Sequence, residues 1–192
     1  VVNTCAGVQP GEQVLIITEH SKMSIAESLA AAAYAAGAEA TLAVMTPRDL
    51  DGQEPPAAIA AAMRASDVFL CAVSRSITHT HAVREATAAG ARGLVLTQFT
   101  EGMMVRGGIQ ADFRAIAPRC RAMAAALAGS GSVRLETPQG TSLSFSAKGR
   151  RGNALYGVVD KGQFSTIPTI EANVSPLEGT ANGRIVADAS VP

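Results

Sequence analysis

The sequence has no tryptophan among its 192 residues, two tyrosines and five phenylalanines, so aromatics supply only 4%. An apolar share of 47% must then rest on alanine and aliphatic side chains, which suit close helix packing rather than large buried anchors. Charge of one sign is lacking as well: 16 basic residues balance 16 acidic ones. With no basic stripe, nucleic acid and anionic membrane are set aside as partners. No segment reaches the roughly 18 uninterrupted apolar residues of a spanning helix, and none reads as a basic-then-apolar leader. The three cysteines, Cys5, Cys71 and Cys120, are odd in number and far apart. Lacking C-x-x-C spacing, they read as reduced thiols of a cytoplasmic protein, not as a disulfide frame or a zinc site. Glycine signatures are missing too. There is no G-x-G-x-x-G after the first strand, no P-loop and no G-x-S-x-G elbow, so nucleotide binding and serine-hydrolase chemistry lose support.

What is present is alternation. Val14-Leu15-Ile16-Ile17, after a Pro10-Gly11 turn, reads as a buried strand. Ser24 and Glu27 have capping-box spacing. Ile25, Leu29, Ala32, Ala33 and Ala36 keep a helical period up to Gly37, placed as the C′ residue. Residues 41–45 are the next strand, Pro55-Pro56 opens a helix carrying Ile59 and Met63, and residues 68–73 are a third strand. Thr78 or Thr80 caps a helix that Gly90 ends, and residues 94–96 are a fourth strand. An alanine-rich helix over about 109–128 must kink or split at Pro118.

This pattern predicts an α/β fold, an open and mainly parallel sheet with helices on both faces, followed by the start of a β-rich second domain. Gly129-Ser130-Gly131-Ser132 is the junction. It separates a Rossmann-like α/β domain over 1–128 from a partial β-rich domain over 129–192. In the latter, Val133 and Leu135, the Pro138-Gln139-Gly140 turn, then Leu143 and Phe145 spell a hairpin. Residues 156–159 and Ile185-Val186 read as further strands. A last apolar strand with nothing after it leaves a sheet edge bare, so the second domain is expected to be incomplete in this chain.

Ligands of open α/β sheets gather at the carboxyl ends of the strands. There the sequence places Thr18, Glu19, His20 and Ser21 after strand one, and Ser74, Arg75, Ser76, Thr78, His79, Thr80 and His81 after strand three. These form either a polar pocket across two loops or ordinary helix caps in solvent. His79-x-His81 has chelating spacing, but no acid lies nearer than Glu85. After the hairpin, Lys148, Arg150 and Arg151 offer a clamp for a carboxylate. Glu171 and Glu178 sit in a Pro/Gly-punctuated stretch, where rigid turns suit oxygen ligation of a hard cation.

That stretch carries a resemblance. Pro168-Thr169-Ile170-Glu171, followed by Pro176-Leu177-Glu178-Gly179-Thr180-Ala181-Asn182-Gly183, resembles the aminopeptidase T family of metallopeptidases, whose relatives include the 2,5-dihydroxypyridine dioxygenases. Pro10-Gly11-Glu12, Glu54-Pro55-Pro56, Thr78-His79-Thr80, Gly90-Ala91-Arg92, Thr137-Pro138-x-Gly140-Thr141 and Gly149-Arg150 extend it through most of the chain. The resemblance implies that Glu171 is the first metal-binding glutamate of the peptidase branch, with the remaining ligands and acid–base groups further toward the C-terminus than this chain reaches. For the dioxygenase branch it implies a two-histidine, one-carboxylate set, also beyond these residues, with Glu171 not a ligand. The chain departs from the peptidases at Ile170, where they tend to carry Glu.

The leading expectation is therefore a fragment of a metal-dependent, aminopeptidase-like hydrolase acting on N-terminal amino-acid amides or peptides. A divalent metal (Zn, Co or Mn) would be bound by Glu171, with Glu178 and Arg150 as supporting or substrate-binding groups and the catalytic residues unassigned. The first alternative is a mononuclear iron(II) ring-cleaving dioxygenase of small hydroxylated N-heteroaromatics. The second is a non-catalytic, self-associating domain. A cytoplasmic homodimer is expected.

Overall fold

The computed structural model describes residues 1–189. In chain order its strands are β1 (Gln13–Thr18), β2 (Glu39–Val44), β3 (Val68–Val73), β4 (Arg92–Thr97) and β5 (Val133–Glu136). They continue with β6 (Ser142–Phe145), β7 (Asn153–Leu155), β8 (Phe164–Thr166), β9 (Glu171–Asn173) and β10 (Asn182–Arg184). The helices are α1 (Met23–Ala35), α2 (Ala57–Ala65), α3 (His81–Ala88), α4 (Glu101–Val105) and α5 (Phe113–Gly129). Two compact units result: Val1–Ile116 with Leu155–Ile170, and Ala117–Ala154 with the residues from Glu171 onward.

The first unit is the α/β fold that the alternation predicts. Its sheet runs β2-β1-β3-β4-β8 with every pairing parallel. The strand period of two sorts side chains onto opposite faces. Val14, Ile16, Leu70, Leu94 and Leu96 pack with Ile25, Leu29 and Ala33 of α1. Leu15, Ile17, Phe69, Cys71, Val73 and Val95 pack with Ile59 and Met63 of α2 and with Val83 and Ala86 of α3. Both faces of the central strands are thus covered, which is why these strands are continuously apolar. The fifth strand, β8, comes from the far side of the hairpin in sequence and has only three residues; the sequence reading assigned nothing there.

Few aromatics did not mean no aromatic anchor. Phe69 is fully buried, and its ring lies over Gly93 of β4, where a Cβ would stand 1.9 Å from the ring. Only glycine leaves room for the ring at that register position.

Several expectations need correction. Ser24 and Glu27 form no capping box: α1 starts at Met23 after a 3-10 turn (His20–Lys22), with no side-chain cap. The Ser24 hydroxyl, already inside the helix, donates instead to Glu101 Oε1 at 2.6 Å. The expected helix from 109 starts at Phe113, because Gly107–Gln110 forms a 3-10 turn of its own. Pro118 does not split α5; it lies inside it, supplying no amide to the carbonyl four residues back. Gly37, by contrast, takes the left-handed C′ conformation (φ 82°) and its amide reaches the Tyr34 carbonyl.

In the second unit β5 and β6 form the expected antiparallel hairpin, turned at Gly140 (φ 100°), and β10 adds to β6. The strands expected at 156–159 and at Ile185-Val186 are displaced. Pairing falls just before the first, on β7 with β9, and just before the second, on β10. Val186 instead exchanges bonds with the Thr141 hydroxyl.

Candidate functional site

The carboxyl edge of the parallel sheet is polar and built. Glu19 directly follows β1 and is 1% exposed. Its Oε1 accepts from the Ser74 amide after β3 at 3.1 Å and from the Ser21 hydroxyl at 3.0 Å. The two loops that the sequence placed side by side are therefore joined through one carboxylate. Strand order explains why they meet: the chain leaves β1 for β2 on one side and β3 for β4 on the other, so β1 and β3 flank the switch point.

The remainder of the β3–α3 loop is held by its own oxygens. Ser76 N donates to Asp51 Oδ1 at 2.6 Å, and the Ser76 and Thr78 hydroxyls lie 2.7 Å apart. Thr80 caps α3, accepting from Val83 N. Glu54 accepts from the amides of His81 at 2.5 Å and Ala82 at 3.2 Å. A carboxylate therefore already occupies the first amides of α3, where an anion would otherwise settle. His81 faces Arg84 through its ring nitrogens and His79 is exposed. Among the described residues no three His, Cys, Asp or Glu side chains are grouped to hold a metal ion, so His79-x-His81 gains no third ligand.

Two motif segments that sequence reading could not connect meet at the opposite end of the strands. Arg92 of β4 clamps Glu12 with two bonds, Nη1–Oε1 at 2.9 Å and Nη2–Oε2 at 2.6 Å. Its Nε donates to the Ala6 carbonyl and Nη2 also to that of Gly7. The Arg92 guanidinium holds the Glu12 carboxyl below its ordinary range, against the opposing effect of burial. Separated by 80 residues in sequence, these partners leave no local signal.

The late glutamates are placed differently. Glu171 opens β9 with its side chain exposed, Oε1 accepting from Asn173 Nδ2, while its backbone carbonyl accepts from the Cys120 thiol at 2.8 Å. Glu178 is exposed and pairs with Arg150, so the guanidinium expected to clamp a substrate carboxylate already holds one from its own chain. The amide of Glu178 itself and the Arg150 charge keep that carboxyl below its usual range. All three cysteines are buried, and none forms a disulfide among the described residues. Burial pushes the Cys5 and Cys71 thiols up, which removes them as nucleophiles. A groove of about 310 Å³ in the first unit, lined by residues such as Leu29, Ala32, Met104 and Ile109, carries no charged side chain.

Against this geometry, the family described as NicX, 2,5-dihydroxypyridine 5,6-dioxygenase, matches residues 1–190. The chain belongs to that family. The fold has a solved counterpart in the 2,5-dihydroxypyridine dioxygenase from Pseudomonas putida KT2440, with a TM-score of 0.75 and 16% identity. That likeness covers 93% of this chain and 54% of the other, so the chain spans about half the length of the enzyme it matches. No curated protein matches the chain.

Membership in the NicX family overturns the leading expectation of an aminopeptidase-like hydrolase, and with it the reading as a metalloprotease. The motifs quoted for the resemblance are ones the peptidase and dioxygenase branches were taken to share, and turn-forming Pro, Gly and Thr residues report a common scaffold rather than a reaction. Ile170, where the peptidases tend to carry Glu, was the point at which the chain departed from the peptidase pattern.

Proposed function

We propose that the protein carrying this chain is an iron(II)-dependent dioxygenase that opens the ring of a small hydroxylated N-heteroaromatic, with a dihydroxypyridine as substrate class. The observation that carries this reading is the family match over residues 1–190. A mononuclear iron held by two histidines and one carboxylate leaves positions open for substrate and oxygen, which is the chemistry such an ion would supply. The described residues do not fit that ion by themselves: the three histidines are His20, His79 and His81, and no His/Cys/Asp/Glu trio is assembled.

This chain's contribution on this reading is the scaffold: a sheet whose central strands are covered on both faces and whose carboxyl edge is fixed by Glu19, Asp51 and Glu54. On this reading Glu171 is a strand-end group engaged with Asn173 and not a metal ligand. Homodimerisation in the cytoplasm belongs to the same proposal. The intact protein, loaded with iron(II), should consume oxygen when given 2,5-dihydroxypyridine and stop when the iron is chelated. Glu171→Gln should leave iron content unchanged. Hydrolysis of aminoacyl amides with no oxygen uptake would sink the reading.

A further inference from the structure

We propose that β2 is the edge through which two copies of this chain associate. The two β2 strands pair antiparallel about a two-fold axis at Leu42 and join two five-stranded sheets into one. The inference names a surface for the homodimer proposed above and rests on that reading, not on the ring-opening chemistry.

The two edges of the parallel sheet are built differently. β8 has three residues and Pro168 follows two positions later, which keeps that edge short. β2 has six residues, pairs with β1 without a bulge from Glu39 to Val44, and contains neither lysine nor proline. It is also open. Glu39, Ala40 and Thr41 are exposed and Val44 is 43% exposed. Among the described residues no strand pairs with its outer side.

Backbone parity fixes which groups point outward. The Glu39 amide donates to the Glu12 carbonyl at 2.9 Å, and the Met45 amide donates to the Thr18 carbonyl at 2.8 Å. Odd-numbered residues of β2 therefore turn their amides and carbonyls toward β1, and the alternation of the strand turns the even ones away. The outward residues are Ala40, Leu42 and Val44. Only a two-fold centred on Leu42 maps these three onto themselves. Ala40 then meets the partner's Val44 and Leu42 meets the partner's Leu42, each pair exchanging two bonds.

Side chains suit that register. Leu42 lies on the α1 face, packed against the cluster that holds Ile16, Ile25 and Leu29. The pairing sets leucine beside leucine, and small Ala40 beside branched Val44. From Ala38 to Pro47 the only charged residue is Glu39. Antiparallel pairing keeps the two Glu39 carboxylates about 20 Å apart, six residues along the strand. Such a self-complementary contact closes as a dimer, which an unrelated extended peptide on the same edge would not require.

Sedimentation equilibrium of the intact protein should show a dimer. Ala40→Pro removes an outward amide and leaves the ladder to β1 whole. The variant should keep the wild-type far-UV spectrum while the dimer Kd rises about tenfold or more. Leu42→Cys faces itself across the axis at about 5.5 Å between Cα atoms, within disulfide reach. Mild oxidation should give a covalent dimer with Leu42→Cys and none with Glu39→Cys, a comparison that decides the matter even if the proline unfolds the chain. A wild-type monomer overturns the homodimer and this surface together. A dimer with unchanged Kd in a folded Ala40→Pro, or equal cross-linking of the two cysteine variants, overturns this surface alone.

Discussion

The first unit and the second are stabilised by different means. Strands β1, β3 and β4 are almost wholly buried along five- and six-residue runs, and their polar partners are drawn from far along the chain. The strands of the second unit have three or four residues and expose most of them. Its ion pairs, Arg134–Glu136 and Arg150–Glu178, each have at least one partner largely in solvent. Charge divides the same way: the first unit has nine basic against twelve acidic residues, the second seven against four. A neutral total thus conceals an acidic unit and a basic one. The comparison teaches that buried, specified chemistry sits on the parallel sheet, while the second unit offers mainly surface.

The comparison is best broken at Phe69 and Gly93. Phe69→Ala should cost about 3–5 kcal/mol, since the emptied site is walled by rigid strands. Gly93→Ala, which drives a methyl into the Phe69 ring, should cost about 3 kcal/mol. Denaturant midpoints measure both, and a loss under 1 kcal/mol at either position would mean that the sheet repacks freely.

A smaller loss is expected at the Glu12–Arg92 clamp. Glu12→Gln should cost about 2 kcal/mol, in the range of charge-assisted hydrogen bonds. Arg92 depresses the Glu12 pKa in the folded state, so below the unfolded value the unfolded chain takes up the proton first. The stabilisation is present above about pH 4.5 and is lost as the pH falls through the lower folded value. Wild-type stability should therefore fall more steeply than that of Glu12→Gln in acid; parallel curves would show that the clamp contributes nothing.

The smallest effects belong to the second unit. Leu135→Ala, at a side chain 47% exposed, should change stability by no more than about 0.5 kcal/mol. Glu178→Gln should leave Tm unmoved, because Glu178 lies in solvent. A marked loss at either would erase the contrast between the units.

How much of this was legible follows the range of each interaction. Strands β1, β3 and β4, the Thr80 cap and the Gly37 stop are written in contiguous residues, and the structure agrees with them. The Ser24–Glu27 box has the right spacing and still fails, because Glu101, 77 residues away, takes the serine hydroxyl. Strand β8 is three residues long with no apolar run of its own, so only the free edge of β4 defines it. Glu19 was visible as a strand-tip residue, but its burial and its bond to Ser74 depend on strand order. The reaction was the least legible, since the motifs that point to the scaffold are not those that choose the chemistry.

The central claim is most directly tested with oxygen-18 gas. The intact iron-loaded protein, given 2,5-dihydroxypyridine, should form a ring-opened product whose mass shows both labelled atoms. A product that takes its oxygen from water, or an intact ring with no label, would contradict the account.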